Sequence, residues 1–253
     1  MSAGGTGMRQ ALVSGAGNGI GEGIARALSG AGYAVAVVDR DEAAAVRVAS
    51  ALPHAQAIAA DVTDEASIER AFAALSATPD LVVCNAGIVR FGSLLAQSTA
   101  DLRAVLDVNL WGAMLTALAG ARRMAAAGGG HVVCITSINS ETPGPNVGAY
   151  PAAKAGLAHF AKQLAIECGP SGVRVNAVSP GFIDGGISAP IYADEAVRAR
   201  RASGVPLRRL GTVEDVANAV LWLDSPGASY ISGHELVVDG GVVGSLLAQL
   251  PRS

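Results

Sequence analysis

Six short runs rich in β-branched residues alternate with alanine-rich stretches of helical length, and this alternation constrains the fold more than any other feature of the chain. The runs are ALVSG from Ala11, AVAVVD from Ala34, QAIAADV from Gln56, DLVVCNAG from Asp80, HVVCITS from His131 and RVNAVSPG from Arg174. Strand, helix and strand in succession make right-handed βαβ units and a parallel sheet. The runs show little period-two polarity, so the sheet must be covered by helices on both faces. Helices are expected near 19–31, 41–51, 64–75, 99–127, 150–168 and 213–223, several opening on an Asp or Thr suited to an N-cap.

At 253 residues and 51% hydrophobic, the chain can bury a large core, and an α/β sheet commonly fills this length as one domain. That domain is expected over 9–253, after a flexible segment at 1–8. The 182–206 segment breaks the rhythm with Gly, Pro and the charged DEAVRARR, and reads as a lid over a site. Net charge is -3, which gives no basic field for nucleic acid or an anionic membrane. The opening MSAGGTGMRQ has no apolar core of a signal peptide, and the most apolar helix is interrupted by Asp107 and Asn109, so a cytoplasmic protein is expected. Three isolated cysteines (84, 134 and 168) and four scattered histidines (54, 131, 159 and 234) suggest neither a disulfide frame nor a metal site.

Gly15, Gly17, Gly19 and Gly21 crowd the turn between the first strand and the first helix, in LVSGAGNGIGEGIARAL. Glycines let a backbone approach a pyrophosphate, and the helix N-terminus attracts the anion. Ile20 stands where G-x-G-x-x-G needs its third glycine; the spacing met is G-x-x-x-G-x-G, at Gly15, Gly19 and Gly21. Asp39 ends the second strand about twenty residues on, where a carboxylate can bond the ribose hydroxyls of an adenine dinucleotide.

The chain has sixteen arginines and two lysines, yet Lys154 stands four residues after Tyr150. On a helix the two share a face. Phenol and ammonium at ~4 Å in an effective dielectric of ~20 interact by roughly 4 kcal/mol, which predicts a phenol pulled down by about three pKa units before burial opposes it. Lysine suits this as a compact point charge with three donors. Ser137 ends the strand HVVCITS, at the edge where ligands bind in open α/β sheets; it reads either as a donor to a carbonyl oxygen or as a loop serine capping its own turn. No G-x-S-x-G elbow occurs, which disfavours a serine hydrolase.

Together these residues resemble the short-chain dehydrogenase/reductase family in its compact form. The likeness runs from SGAGNGIG through Asp61 and Val62, Asn85 to Gly87, Asn109, Ser137, YPAAK, Ser179 to Gly181 and VDGG at 238–241. It implies a Rossmann-type, doubly wound sheet of seven strands and a nicotinamide cofactor. It also implies a tetrad of Asn109, Ser137, Tyr150 and Lys154, with Asn109 holding a water in the proton relay. By the same resemblance the cofactor touches Gly15, Asn18, Gly19, Ile20, Gly21, Asp39, Arg40, Asp61, Val62, Asn85, Ala86, Gly87, Tyr150, Lys154, Pro180, Gly181 and Ile183. Two positions depart from the pattern: Ser14 replaces the usual Thr, and Gly185 stands where a Thr often meets the nicotinamide carboxamide, with Ser188 or backbone groups as substitutes.

The expected activity is hydride transfer between NAD(H) and a secondary alcohol or ketone. Asp39 would repel a 2′-phosphate, whereas Arg40 keeps an NADPH-dependent ketoreductase open as the alternative; a dihydrodiol or polyol dehydrogenase is a further one, and a non-catalytic dinucleotide-binding regulator has no use for a tuned phenol. The substrate is expected to be a small molecule lined by Ser137, Asn139, Glu141, Val147 and Tyr150, with Arg90, Phe91 and residues 183–192 nearby. Asp194 and Arg198 have the spacing of an i,i+4 pair, so the lid arginines at 198, 200 and 201 are read as a solvated face and the substrate as neutral. A homotetramer is expected by resemblance, pairing the long apolar helices and the C-terminal region around VVGSLLAQL.

Overall fold

The computed structural model describes residues 7–245, so most of the segment expected to be flexible at 1–8 and the end of VVGSLLAQL lie outside the described residues. The elements run β1 (Gln10–Ser14), α1 (Gly19–Gly30), β2 (Ala34–Asp39), α2 (Glu42–Ala49), β3 (Ala55–Ala59), α3 (Glu65–Ala73), β4 (Leu81–Cys84) and α4 (Thr99–Leu106). They continue with α5 (Ala113–Ala127), β5 (Gly130–Ile135), α6 (Tyr150–Cys168), β6 (Val173–Pro180), α7 (Ala189–Tyr192), α8 (Glu195–Gly204), α9 (Val213–Leu223) and β7 (Glu235–Val238). All seven strands are parallel, in the order β3-β2-β1-β4-β5-β6-β7. The order reverses between β1 and β4, which opens a crevice at their carboxyl ends.

Alternate residues of each inner strand feed two separate cores, which is why the runs look uniformly apolar. Leu12, Val82 and Val132 pack under α3, α5 and α6 with Phe72, Met124 and Leu157. Val13, Val37 and Val83 pack on the other face with Ile24, Leu28, Val48 and Val220 from α1, α2 and α9. Each fully buried Leu, Ile or Val contributes about 1.5–3 kcal/mol by leaving water. The helix starts follow their caps. Asp41 and Asp64 accept bonds from Ala44 N and Ala66 N, and Thr212 and Asp215 form a reciprocal capping box.

The helix expected over 99–127 is broken by a π turn at Asp107–Gly112. Its cause is Asn109. The Asn109 side-chain amide donates to Val105 O at 2.9 Å, the carbonyl its own backbone N–H would use in an α-helix. The Thr99–Ala127 stretch is long and apolar enough to cross a membrane by length and composition, but here it is a core helix with more than half of its most apolar window buried (56%).

At the amino-terminal edge of the sheet, His131 is buried in a polar network, in keeping with a packing role. Its Nδ1 lies 3.0 Å from Asp224 Oδ1, and Asn176 Nδ2 lies 3.0 Å from its Nε2. Tyr33 donates to Asp224 Oδ2 at 2.5 Å and Arg9 pairs with the same carboxylate at 2.8 Å. Burial holds the imidazole below its usual range.

Candidate active site

A cavity of about 480 Å³ runs along the carboxyl ends of the strands. Its first wall is the glycine turn, where the chain must pass close to other backbone. A Cβ on Gly15 (φ 63°) would lie 2.6 Å from Ala86 Cα, and one on Gly21 would lie 2.1 Å from Gly15 O. Asn85 Nδ2 clamps the turn by donating to Ser14 O at 3.1 Å and Gly15 O at 3.0 Å. The Ser14 hydroxyl accepts from Asn85 N at 3.1 Å, so this departure from Thr keeps the hydroxyl at work across the β1–β4 crevice. Asn18 caps α1 without a side-chain bond, leaving first-turn amides for an anion.

Asp39 is held at the end of β2 by two backbone amides, Gly17 N at 2.8 Å and Asp41 N at 3.0 Å. Its carboxylate lines the cavity beside Asn18, Arg40, Asp61 and Val62. Thr63 holds the Asp61 carboxyl below its usual range through its backbone N–H, and its hydroxyl adds a second bond. Gly15, Ile20, Asn85, Ala86, Gly87, Pro180, Gly181 and Ile183 also line the cavity. Gly19 and Gly21, expected as cofactor contacts, are not on the cavity wall. Gly19 (φ 55°) instead meets the 182–206 segment, where its Cβ would fall 2.5 Å from Gly186 Cα, and Gly21 seats α1 against the turn.

Ser137, Tyr150 and Lys154 come together at the other end. The Ser137 hydroxyl caps the turn Ile138–Ser140 by accepting from Asn139 N at 3.2 Å. The capping reading is thus observed, and because the hydroxyl accepts in this bond its own proton is left for another partner. Glu235, on β7, supports the turn. Its Oε1 accepts from Thr136 Oγ1 at 2.7 Å and from Ser140 Oγ at 2.8 Å. Nothing in the sequence pointed to Glu235, because its partners lie 95 and 99 residues away.

Lys154 is buried and donates to Ile135 O at 2.8 Å, with Nζ 5.5 Å from the centre of the Tyr150 ring. Burial pulls the ammonium down to about 8, and the same burial pushes the Tyr150 phenol up to about 12, against the lowering effect of the Ser137 hydroxyl. This corrects the expectation that Lys154 depresses the phenol. With Nζ turned to the Ile135 carbonyl, burial sets the direction for both groups.

Asn109 does not reach the cavity wall, yet it closes the same cluster from behind. It is fully buried, its Nδ2 donates to Ile88 O at 2.8 Å, and among the described residues its Oδ1 has no partner. A Cβ on Gly87 would sit 2.7 Å from that oxygen and 3.6 Å from Lys154 Nζ, so the free acceptor and the ammonium flank one glycine. A buried acceptor without a partner suits a bound water.

Asn139 and Val147 line the cavity, as do Phe91, Ser188 and Tyr192. Glu141 and Arg90 do not. Glu141 follows the Ile138–Ser140 turn and is exposed, while Arg90 is exposed and drawn to Asp101 at 3.6 Å. The expected Asp194–Arg198 pair is also absent. Asp194 spends its carboxylate capping α8, and Arg198 bonds Asp184. Ser188 lies on the wall beside Gly185, its N–H donating to Gly185 O at 3.2 Å.

A dinucleotide cradle at the reversal point of a doubly wound sheet, with a Tyr-x-x-x-Lys pair and a serine facing it, defines an oxidoreductase that works through a nicotinamide. The chain belongs to the short-chain dehydrogenase/reductase family: the family model described as enoyl-(acyl carrier protein) reductase matches residues 15–243. It is 39% identical over 241 residues to a cis-4-hydroxycyclohexanecarboxylate dehydrogenase of Sinomonas cyclohexanicum, covering 92% of this chain and 96% of the relative. It is 36% identical to a 3-oxoacyl-(acyl-carrier-protein) reductase of Aquifex aeolicus, covering 91% and 96%. Among solved structures it resembles a gluconate 5-dehydrogenase from Burkholderia cenocepacia in complex with NADP and tartrate, with TM-score 0.88, 31% identity and coverage of 94% and 96%.

Proposed function

We propose that this protein transfers a hydride between NAD(H) and a secondary alcohol or ketone, with Tyr150 as the general acid and base. The observation that carries the reading is the convergence of Ser137, Tyr150 and Lys154 on one wall of the cavity that Asp39 closes at its far end. When bound, the nicotinamide supplies or accepts the hydride and, when oxidised, brings a positive charge that draws the phenol downward. Ser137 donates to the substrate oxygen and orients it. In reduction Tyr150 Oη gives that oxygen its proton, and in oxidation it takes the proton back. Lys154 would hold the ribose of a bound cofactor and, through the acceptor of Asn109 and a bridging water, would return a proton to Tyr150.

The preference for NAD rests on Asp39, whose carboxylate repels a 2′-phosphate. NADH should therefore give a kcat/KM at least about tenfold above NADPH, and Asp39→Ala should shrink that ratio. Steady-state kinetics with both cofactors decide it, and equal or better use of NADPH by the parent would overturn the preference. Arg40 on the same wall favours a second reading, an NADPH-dependent ketoreductase, to which the acyl-carrier reductase relative and the NADP-bound gluconate dehydrogenase lend weight.

The assembly proposed is a cytoplasmic homotetramer acting on a small molecule, without nucleic acid or membrane partners. Trp111 on the π turn, Ile166 on α6, Trp222 on α9 and Val237 on β7 are exposed, and their burial between copies would remove apolar surface from water. Light scattering at micromolar concentration should return four chains; a monomer would count against it.

A further inference from the structure

The three lid arginines are not equivalent. Arg198 bonds Asp184, and Arg200 is exposed on α8 away from the cavity wall. Arg201 is also exposed, but it lies over the Phe182 ring at 4.4 Å and lines the cavity mouth, and among the described residues no carboxylate pairs with it. The cavity's carboxylates, Asp39, Asp41 and Asp61, lie at the end of β2 or just after β2 and β3, strands on the far side of β1 from the Ser137 and Tyr150 region. That part of the cavity offers hydroxyls, an amide, two phenols and one guanidinium, set among Phe91, Phe182, Ile187 and Ile191. The guanidinium sits against the Phe182 ring, and a planar fork of N–H donors fits a carboxylate in two-point fashion.

We propose that Arg201 recognises a carboxylate on the substrate, so that this enzyme acts on a hydroxy acid and its keto acid rather than on a neutral alcohol. The inference rests on the oxidoreductase reading above and refines it. It replaces the neutral substrate expected from the sequence, because that expectation treated all three arginines as a solvated face. A phosphate of the cofactor could present similar anionic chemistry to Arg201, and the test separates the two.

Two keto acids, 4-oxopentanoate and 4-oxocyclohexanecarboxylate, are compared with their methyl esters at saturating cofactor. The acid-to-ester ratio of kcat/KM should exceed one in the parent and fall roughly ten- to a hundredfold in Arg201→Gln, the size of one charge-assisted hydrogen bond. Arg201→Lys should recover part of the ratio, since it returns the charge without the fork. Cofactor titration by protein fluorescence forms the second arm. A ratio that holds in Arg201→Gln while NADH affinity drops tenfold or more would assign Arg201 to the cofactor and overturn the proposal. Calorimetric binding of each acid and ester to the protein–NADH complex needs no turnover. If no ketone is reduced, the oxidoreductase reading fails, and the calorimetry still judges Arg201: acid bound no tighter than ester, or equally well by Arg201→Gln, overturns its role.

Discussion

Tyr150→Phe should lower kcat by about 10²–10⁴-fold, the usual worth of one positioned general acid or base, while cofactor still binds. The substitution keeps the ring that packs beside Val105, Ala149 and Ala153 and deletes only the transferable proton. Turnover within a few-fold of the parent, measured on pure protein, would refute the assignment. The direction of the pH dependence follows from the same group. Burial holds the phenol at about 12, so the phenolate is the minor form at neutral pH. Alcohol oxidation, which needs the base, should rise with pH. Ketone reduction needs the acid and should not gain from alkali.

Lys154→Met should abolish turnover and yet raise the stability of the fold. Burial holds the Lys154 ammonium at about 8, below its ordinary 10.5, so the charge destabilises the native state. The sign follows from proton counts. Between about 8 and 10.5 the unfolded chain binds the proton that the folded chain has released, so stability rises with pH across that window. Below about 8 both states hold the proton and the full cost is present, roughly 3 kcal/mol from the shift alone. Removing the amine also loses its bond to Ile135 O, about 1 kcal/mol in the other direction. A net gain on the order of 1–2 kcal/mol at pH 7 remains, visible as a higher midpoint in urea or on heating. A midpoint below the parent's at pH 7 would show that the buried ammonium is not a cost. Lys154→Arg should lose turnover without that gain, because the larger fork must enter a slot closed by Cys84, Cys134 and Ile135 and keeps its charge there.

Much of the site was legible because its signals are local. Helix α6 spans Tyr150–Cys168 and α9 spans Val213–Leu223, both at the bounds expected, since Pro151 in the first turn of α6, the capping box of α9 and runs of helix formers all act within a few residues. The glycine turn was legible for a similar reason: Gly15 and Gly19 need positive φ, which few other residues tolerate. The seventh strand came from family resemblance alone, as four residues of ELVV carry little signal of their own.

What the chain's order by itself determined was therefore the α/β alternation, the two-sided burial of the strands and the i,i+4 placement of Tyr150 and Lys154. The tertiary structure decided the rest. The π turn holds Asn109 where its amide reaches both Ile88 O and Val105 O, a convergence of segments 21 residues apart. Glu235 supports the Ser137 turn across a gap of more than 90 residues, and Arg198 takes Asp184 rather than the nearer Asp194. The Tyr150 phenol moves up instead of down because desolvation is a property of the whole fold around it. Period and capping act within one or two helical turns. Burial and pairing depend on which distant segments the sheet brings together, and they set the chemistry here.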